Sequence, residues 1–420
     1  MFVLLYNIII SLYSAGIRFA SLFSDKASLF LQERRGLMKH IIESMSQWEH
    51  KSIWVHCASL GEFEQARPVI ELLKERLPHS PIILTFYSPS GYRVRKNYTL
   101  ANKVFYLPTD SATNASQFIK AINPGLAIFV KYEFWYHYIT VLQRKKVPVL
   151  SISSIFRSDQ IYFKFYGVFF QNILQKVSHF FVQDKTSAKL LGDIGITAVT
   201  VSGDTRFDRV YQLCNQEVRL SLIEKFKGEK KLFVLGSIWA ADMDRISRFV
   251  NTAAEKYSLK FILAPHEIQE SNIRKQIKDI TLSSLKYSEA KEENVESARV
   301  LIIDNIGMLS SLYRYGDYAF IGGSFGEGLH NTLEAATFGL PLFFGNENYF
   351  KFKEANDLIN LGGAFPVKDS YELMEAFKKV IMTEEKVHDL NSGYVKENTG
   401  AADKIVRYCI KLLEDGRESH

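Results

Sequence analysis

Cysteine is scarce in this chain of 420 residues. The three cysteines, Cys57, Cys214 and Cys409, are odd in number and widely spaced, so neither a disulfide framework nor a zinc site is indicated. Low-complexity stretches are also missing. Hydrophobic residues make up 47% of the chain and charged residues 23%, which excludes a disordered protein. The composition favours an ordered globular protein in a reducing compartment such as the cytoplasm.

The charge is too balanced for a nucleic-acid-binding surface. Lysine and arginine number 52 against 46 aspartates and glutamates, which gives a formal net charge of +6. Such an excess suits an anionic membrane surface or anionic ligands and falls short of what nucleic acids require. At roughly 100–200 residues per domain, the length predicts two domains.

Three motifs of nucleotide and metal chemistry are absent. The sequence has no Walker lysine, no GxGxxG, and no aspartate pair of the DxD type in a plausible loop. We therefore expect neither a P-loop nor a typical dinucleotide fingerprint, and no metal dependence.

The amino terminus is strongly apolar. Its first seventeen residues, MFVLLYNIIISLYSAGI, carry no charge. This is near the lower limit of roughly 17–25 residues for a spanning helix, and the stretch lacks the basic start and cleavage site of a signal peptide. We predict an uncleaved membrane anchor at residues 1–23; a buried first helix of a soluble domain is the alternative. Basic residues in the flank predict a cytoplasmic location for the rest of the chain. They are Arg18, Lys26, Arg34, Arg35 and Lys39.

From residue 52 the chain alternates short β-branched runs with amphipathic helical stretches, the pattern of βαβ units around a parallel sheet. The first set of predicted strands is SIWVHCA, PIILTF, KVFYL, LAIFV, VPVLSIS, HFFVQ and AVTVS. After VSGDTRFDR a second set begins, with KLFVLGS, KFILAP, RVLIID, YAFIGGS and LPLFFG. The sequence predicts an α/β protein with two doubly wound domains, at residues 24–205 and 206–420.

The first predicted strand ends in CASLGEFEQA, where a tight turn places Glu62 at the start of a helix. Helix amino termini stabilise an ionised carboxylate, so Glu62 serves as a general base only if its surroundings offset that effect. Spacing alone favours the alternative, ordinary capping of the helix.

A second acidic candidate follows the strand LAIFV, in KYEFWYHY. Glu133 lies among aromatic residues there, a setting that suits sugar binding. The alternative is a partly buried carboxylate paired with Lys131 or Arg144.

The strongest local feature is IGGSFGEGLHNTLEAATFGLPLFFG. A strand ends at the glycine-rich turn 322–324, and His330 and Asn331 open a helix. Glycines let backbone amides approach a phosphate, and the amino end of a helix adds partial positive charge. Glu334, one turn into the helix, is placed to accept hydrogen bonds from ribose hydroxyls. We predict a nucleotide or phosphate site here.

Taken together and in order, several segments resemble the transferases that add 3-deoxy-manno-octulosonic acid (Kdo) in lipopolysaccharide synthesis. They are WVHCASLGE, LPTD, KYEFW, VSGDTRFD, LGSIW, DNIGML, YRYGDYAFIGGS, GLHNTLEAATFGLPLFFG and NYFKFKEA. The resemblance covers nearly the whole chain and implies a GT-B fold, in which two Rossmann-like domains face a cleft. It implies an inverting glycosyltransferase that moves Kdo from CMP-Kdo to a lipid A precursor at the cytoplasmic side of the inner membrane, without a cofactor.

The same resemblance implies the residue roles. Glu62 matches the family's catalytic base, and Glu133 and Arg206 match the residues that support the transition state. The residues that match the CMP-binding segments are Pro265, His266, Ile306, Gly307, Met308, Gly322, Gly323, Ser324, His330, Asn331, Thr332, Leu333 and Glu334.

The chain departs from the family pattern in its second half. Where the family reads PRHxE, this chain has Ala264, Pro265, His266 and Glu267, so His266 or a distant basic residue must replace the arginine. Trp239 stands where the family often has histidine, and residues 306–308 replace MGE. The competing hypotheses are another GT-B enzyme acting on UDP-GlcNAc and a membrane-tethered nucleotide-binding protein without activity.

Overall fold

The computed structural model describes residues 2–214, 218–326 and 328–418. Lys26 belongs to a helix, but its side chain lies outside the described part, as do those of residues 416–418. Two seven-stranded sheets dominate the described chain, and every pairing within them is parallel. The prediction of a two-sheet α/β protein is confirmed.

The strands are short and mostly buried on both faces, as expected of parallel sheets covered by helices. Strands β1 to β7 are Ser52–Cys57, Ile82–Phe86, Lys103–Tyr106, Pro124–Val130, Val149–Ser154, His179–Val182 and Val199–Val201. Strands β8 to β14 are Lys231–Ile238, Leu259–Pro265, Ser284–Lys286, Val300–Ile302, Tyr318–Ile321, Leu342–Gly345 and Ala364–Val367.

Helices follow nearly every strand, which is the βαβ pattern read from the sequence. Helices α1 to α10 are Phe2–Ala20, Asp25–Gln32, Leu37–Ser44, Leu60–Arg76, Pro89–Arg95, Ala112–Ile122, Tyr136–Arg144, Val168–Leu174, Lys185–Asp193 and Thr205–Cys214. Helices α11 to α19 are Ser221–Lys227, Ala240–Lys256, Glu270–Ile277, Leu309–Leu312, Leu333–Ala336, Lys353–Leu361, Ser370–Val380, Glu384–Glu397 and Ala401–Glu418.

The strand order places a switch point in each sheet. The first sheet runs β3-β2-β1-β4-β5-β6-β7. Strands β1 to β3 are added toward one edge and β4 to β7 toward the other, so the order of addition reverses between β1 and β4. The second runs β10-β11-β9-β8-β12-β13-β14, with its reversal between β8 and β12. Ligands of doubly wound sheets bind beyond the carboxyl ends of the strands at such points.

All seven predicted strands of the first sheet are present, but two strands of the second sheet escaped prediction. β10 and β14 are the edge strands, and neither carries a long apolar run. β14 contains Pro366, a residue that edge strands tolerate because they need fewer ladder hydrogen bonds.

The chain divides into two compact units, residues 1–209 with 399–420, and residues 210–398. The sequence placed the whole of 206–420 in the second domain. The structure instead packs α19 on the first unit, where Ile405, Val406 and Cys409 are buried against core residues such as Ile53 and Val55. The amphipathic pattern of α19 predicts a buried face without saying which core covers it.

Helix α1 is the one described helix long and apolar enough to cross a membrane. None of its residues is fully buried. Its half-buried residues follow helical spacing, at Tyr6, Ile10, Ser14 and Ile17. Tyr6 donates a hydrogen bond of 2.6 Å to Asp110, so this narrow face is attached to the first unit while the remaining apolar side chains are exposed.

Candidate active site

The two glutamates singled out in the first half of the chain flank the switch point of the first sheet. β1 leads through Ala58 and Ser59 into α4, whose first turn carries Glu62. The neighbouring strand β4 leads into the loop that carries Glu133. The topology therefore brings to one edge two carboxylates that lie 71 positions apart in the printed sequence.

Glu62 makes a contact of the capping kind. Its Oε2 accepts a hydrogen bond from the backbone N–H of Ala58, and the N-cap residue Ser59 makes no side-chain cap of its own. Burial and the neighbouring Glu133 nevertheless raise the pKa of Glu62, while the Ala58 N–H, His56 and Lys131 act in the opposite direction. The surroundings thus offset the helix effect, which was the condition set for a general base.

Glu133 is held by aromatic residues. Its Oε2 accepts a hydrogen bond of 2.8 Å from the indole Nε1–H of Trp135, whose ring lies 5.2 Å from that of Tyr87. The predicted alternative, an ion pair with Lys131 or Arg144, is not among the ion pairs of the described residues. The side chain is 19% exposed, so the carboxylate remains accessible to a substrate.

The buried histidine next to Glu133 was not predicted from the sequence as a residue of the site. His56 lies within β1 with no exposed surface, and its Nε2 is 3.6 Å from Glu133 Oε2. Its Nδ1 lies 2.8 Å from Thr85 Oγ1, which already accepts a hydrogen bond from the indole of Trp54. The Thr85 hydroxyl also lies 3.5 Å from the Val55 carbonyl, to which it can donate, and His56 Nε2 has no hydrogen-bond partner among the described residues. The sequence signal that could have identified it is a histidine inside a strand predicted to be buried.

Arg206 is fixed at the end of the same sheet. Its guanidinium contacts the carboxylate of Asp204 at 2.8 Å, and the buried Asp204 also lies 3.5 Å from Gln65 of α4. The hydroxyl of Thr205 donates to the Gln65 carbonyl at 2.6 Å. These contacts join the start of α10, which carries Arg206, to α4, whose first turn carries Glu62.

In the second unit, three rings gather at the carboxyl edge beside the switch point. Trp239 follows β8, His266 follows β9, and His330 follows β12. The rings of Trp239 and His266 stack at 4.4 Å, and those of His266 and His330 at 4.5 Å. The Trp239 indole donates a hydrogen bond of 2.9 Å to His330 Nε2.

This arrangement fixes the charge of His330. An indole N–H can only donate, so His330 Nε2 accepts and carries no proton. Burial, followed by the nearby His266, lowers the pKa of His330 to about 4. His330 is therefore neutral near pH 7, with its proton on Nδ1.

Two of the three residues in the glycine-rich turn 322–324 do not offer their amides to a phosphate. The N–H of Gly322 donates to the carbonyl of Gly236, and that of Gly323 donates to the buried carboxylate of Asp242 at 3.0 Å. A Cβ at Gly322 would lie 2.4 Å from the Ser237 carbonyl oxygen. Glycine is required here for close packing of the chain, and a carboxylate occupies the place expected for an anion.

The segment after the turn also differs from the prediction. α15 has only four residues and begins at Leu333, so His330 and Asn331 precede it without opening a long helix. Leu333 and Thr332 are buried, which removes their side chains from any ligand surface. The Asn331 amide donates to Glu334 at 3.0 Å, keeping these two polar side chains together.

The remaining residues that were predicted to bind CMP lie in two places. Pro265 is buried at the end of β9, and His266 after it is exposed. Residues 306–308 form a loop beyond β11, in which Gly307 has a φ of +93° and Ile306 is exposed.

Comparison with known proteins points to the Kdo transferases. A family model described as 3-deoxy-D-manno-octulosonic-acid transferase (kdotransferase) matches residues 30–209. A 3-deoxy-D-manno-octulosonic acid transferase of Aquifex aeolicus is 28% identical over 361 residues, covering 82% of this chain and 92% of that protein. One of Haemophilus influenzae is 25% identical over 382 residues, covering 87% and 88%. These matches support a Kdo transferase. It is a glycosyltransferase that acts in Kdo transfer for lipopolysaccharide.

Solved structures support the GT-B fold of this Kdo transferase. UDP-GlcNAc 2-epimerase from Neisseria meningitidis, bound to UDP-GlcNAc, has a TM-score of 0.61 and covers 86% of this chain and 100% of its own. Identity is 14%, so the likeness concerns the fold and leaves the ligand open.

In this Kdo transferase, the carboxylate of Asp242 accepts the Gly323 N–H of the glycine-rich turn. Replacing Asp242 tests how much this contact stabilises the protein. Asp242 accepts N–H groups from Trp239 and Gly323. An Asp242→Ala variant leaves both donors buried without a partner, and we expect it to lose about 2 kcal/mol of unfolding free energy, measured by thermal denaturation. The control Asp244→Ala removes an exposed carboxylate of the same helix and should change stability little.

The pH dependence gives a second readout of the same variant. Burial raises the pKa of Asp242 to about 6. A raised folded-state pKa means that this carboxyl contributes most stability below its unfolded value near 4, and the contribution is lost as the pH rises through about 6. We expect this dependence to vanish in Asp242→Ala; an unchanged profile would contradict the assignment.

Proposed function

We propose that this protein transfers Kdo from CMP-Kdo to a lipid A precursor, with inversion at the anomeric carbon. The observation that carries the proposal is the pair Glu62 and Glu133 at the switch point of the first sheet. One carboxylate has a raised pKa, and the other lies near it as an anion that helps to raise it. A base of raised pKa beside a second carboxylate suits proton removal from a sugar hydroxyl.

In the proposed reaction Glu62 accepts the proton of a primary hydroxyl of the acceptor. The freed oxygen forms a bond to the anomeric carbon of Kdo as the bond from that carbon to the phosphate oxygen breaks. The electron pair of the breaking bond leaves with CMP. Arg206, oriented by Asp204, supplies positive charge for the sugar carboxylate or the departing phosphate.

On the donor side, the proposal assigns CMP to the second unit. Trp239, His266 and His330 present flat rings, and His330 offers an Nδ1–H donor in its neutral form. With the turn amides at Gly322 and Gly323 occupied, this ring cluster and the loop at 306–308 are the remaining candidates for the cytidine and its phosphate. Uncharged hydrogen-bond donors at this place are consistent with the absence of the arginine that the family carries in its PRHxE segment.

The proposed location is the cytoplasmic side of the inner membrane. α1 exposes apolar side chains over most of its surface, and basic residues follow it. Such a helix either crosses the bilayer or lies in its inner face, and either arrangement keeps the catalytic unit beside a lipid acceptor.

The decisive experiment is mass-spectrometric detection of Kdo added to a tetraacylated lipid A precursor, with CMP-Kdo generated in place. We expect a product whose mass increment gives the number of Kdo residues added. Calorimetric titration should show binding of CMP and at least about tenfold weaker binding of UDP. Preference for UDP, with no Kdo product, would favour the UDP-GlcNAc hypothesis; CMP binding without turnover would favour the inactive binding protein.

A further inference from the structure

A cavity of about 410 Å³ lies between α1 and α2 in the first unit. Three arginines line it, Arg18, Arg34 and Arg35, and no described residue that lines it carries a carboxylate. The nearby Glu33 does not line the cavity; it accepts a hydrogen bond of 2.7 Å from Arg93, and its charge also acts on Arg34. The cavity therefore concentrates positive charge that the described protein does not neutralise within it.

Arg34 is held in a way that keeps its charge. Its guanidinium donates to the carbonyls of Tyr87 and Phe30, and it lies 3.6 Å from the centre of the Phe30 ring. Carbonyls and ring faces orient a cation without cancelling its charge. A guanidinium fixed in this way contributes a positioned positive charge to the cavity.

The rest of the cavity lining combines polar residues, such as Ser14, Gln32 and Thr109, with apolar ones. Ile17, Phe30 and Leu31 contribute apolar surface. On α1 itself, Leu4, Leu12 and similar side chains outside the cavity are exposed. An occupant that satisfies both features carries a negative charge on a polar head and an attached lipid chain.

Aromatic contacts connect the cavity to the proposed catalytic residues. Tyr87 lines the cavity, its ring lies 5.2 Å from that of Trp135, and Trp135 donates to Glu133. An anionic head held in the cavity is thus separated from Glu133 by the side chains of Tyr87 and Trp135. The position suits a group on the acceptor sugar, distant from the hydroxyl that reacts.

From these observations we infer that the cavity binds a phosphate monoester on the sugar head of the lipid acceptor, with Arg18 and Arg35 as accessible ligands and Arg34 as the fixed one. The inference rests on the proposed function for the identity of the acceptor. Its role is affinity and orientation: the phosphate anchors the acceptor while the hydroxyl reaches Glu62.

The test compares the double variant Arg18→Gln/Arg35→Gln with Lys39→Gln, an exposed basic residue of the same flank that does not line the cavity. Transfer is measured in neutral-detergent micelles with the phosphorylated acceptor and with the same acceptor after phosphatase treatment. We expect the double variant to raise KM for the phosphorylated acceptor at least about tenfold, with kcat nearly unchanged. Neither variant should change KM for the dephosphorylated acceptor.

Binding of both acceptors without donor is measured in parallel, so a failure of the proposed reaction and a failure of this inference remain distinct. Absence of transfer by the wild type would count against the reaction alone, while a selective loss of binding to the phosphorylated acceptor would still support the cavity. Equal losses on both acceptors, or no loss on either, would overturn the inference. So would an effect seen only with phosphatidylglycerol vesicles, because that result would assign the arginines to bulk lipid headgroups.

Discussion

Replacing Glu62 with glutamine is expected to reduce Kdo transfer about a thousandfold, the contribution typical of a positioned general base. Glutamine keeps the size of the side chain and can still accept the Ala58 N–H, so the turn at the start of α4 should stay intact. What it loses is the capacity to take a proton. The measurement is kcat for Kdo transfer by mass spectrometry, together with CMP binding, which should be unaffected.

Stability separates this loss from misfolding. A carboxyl whose folded-state pKa is raised costs stability as the pH rises through the interval from its ordinary pKa to the raised one. Glu62→Gln removes that cost, so the variant should be at least as stable as the wild type near pH 7. Glu64→Gln serves as the control, because Glu64 lies on the same helix and is paired with Arg95 at 2.8 Å. Turnover by Glu62→Gln at the wild-type rate would rule out the base assignment.

The sequence predicted the buried strands well because strands covered on both faces carry uninterrupted apolar runs, and β1 and β4 are of this kind. It also placed Glu62 and Glu133 at strand ends, where parallel sheets bind ligands. It could not show that the two strands are neighbours, because strand order is decided by packing across the whole sheet. His56 was overlooked because a polar residue inside an apolar run has no visible partner until Thr85 and Glu133 are placed around it.

The glycine-rich turn shows the opposite outcome. Glycines permit both a phosphate contact and close packing, and the sequence pattern does not distinguish these uses. The deciding residue, Asp242, lies on α12, 81 positions before Gly323. Likewise, the apolar face of α19 predicts burial, but its docking on the first unit depends on contacts with α4 and β4, which lie far earlier in the printed sequence. Long-range contacts of this kind are what the sequence left open.

Replacing Glu133 with glutamine is expected to change both the rate and its pH dependence. The negative charge of Glu133 raises the pKa of Glu62, so a neutral glutamine should lower that pKa. Because Glu62 must be ionised to act as a base, the rise of kcat/KM with pH should then occur at lower pH than in the wild type. Glutamine can still accept the Trp135 N–H, so the position of the side chain should be kept.

The rate should nevertheless fall, by about a hundredfold in kcat, since removing one group that stabilises transition-state charge typically costs that much. A lower pKa for the base together with a lower kcat is a combination that misfolding does not produce. The profiles of wild type and variant are best compared over about pH 4 to 8, an interval that spans the ordinary and raised range of a glutamate. A variant with an unchanged profile and unchanged kcat would show that Glu133 neither acts on Glu62 nor supports the transition state, and its place beside His56 would then be structural.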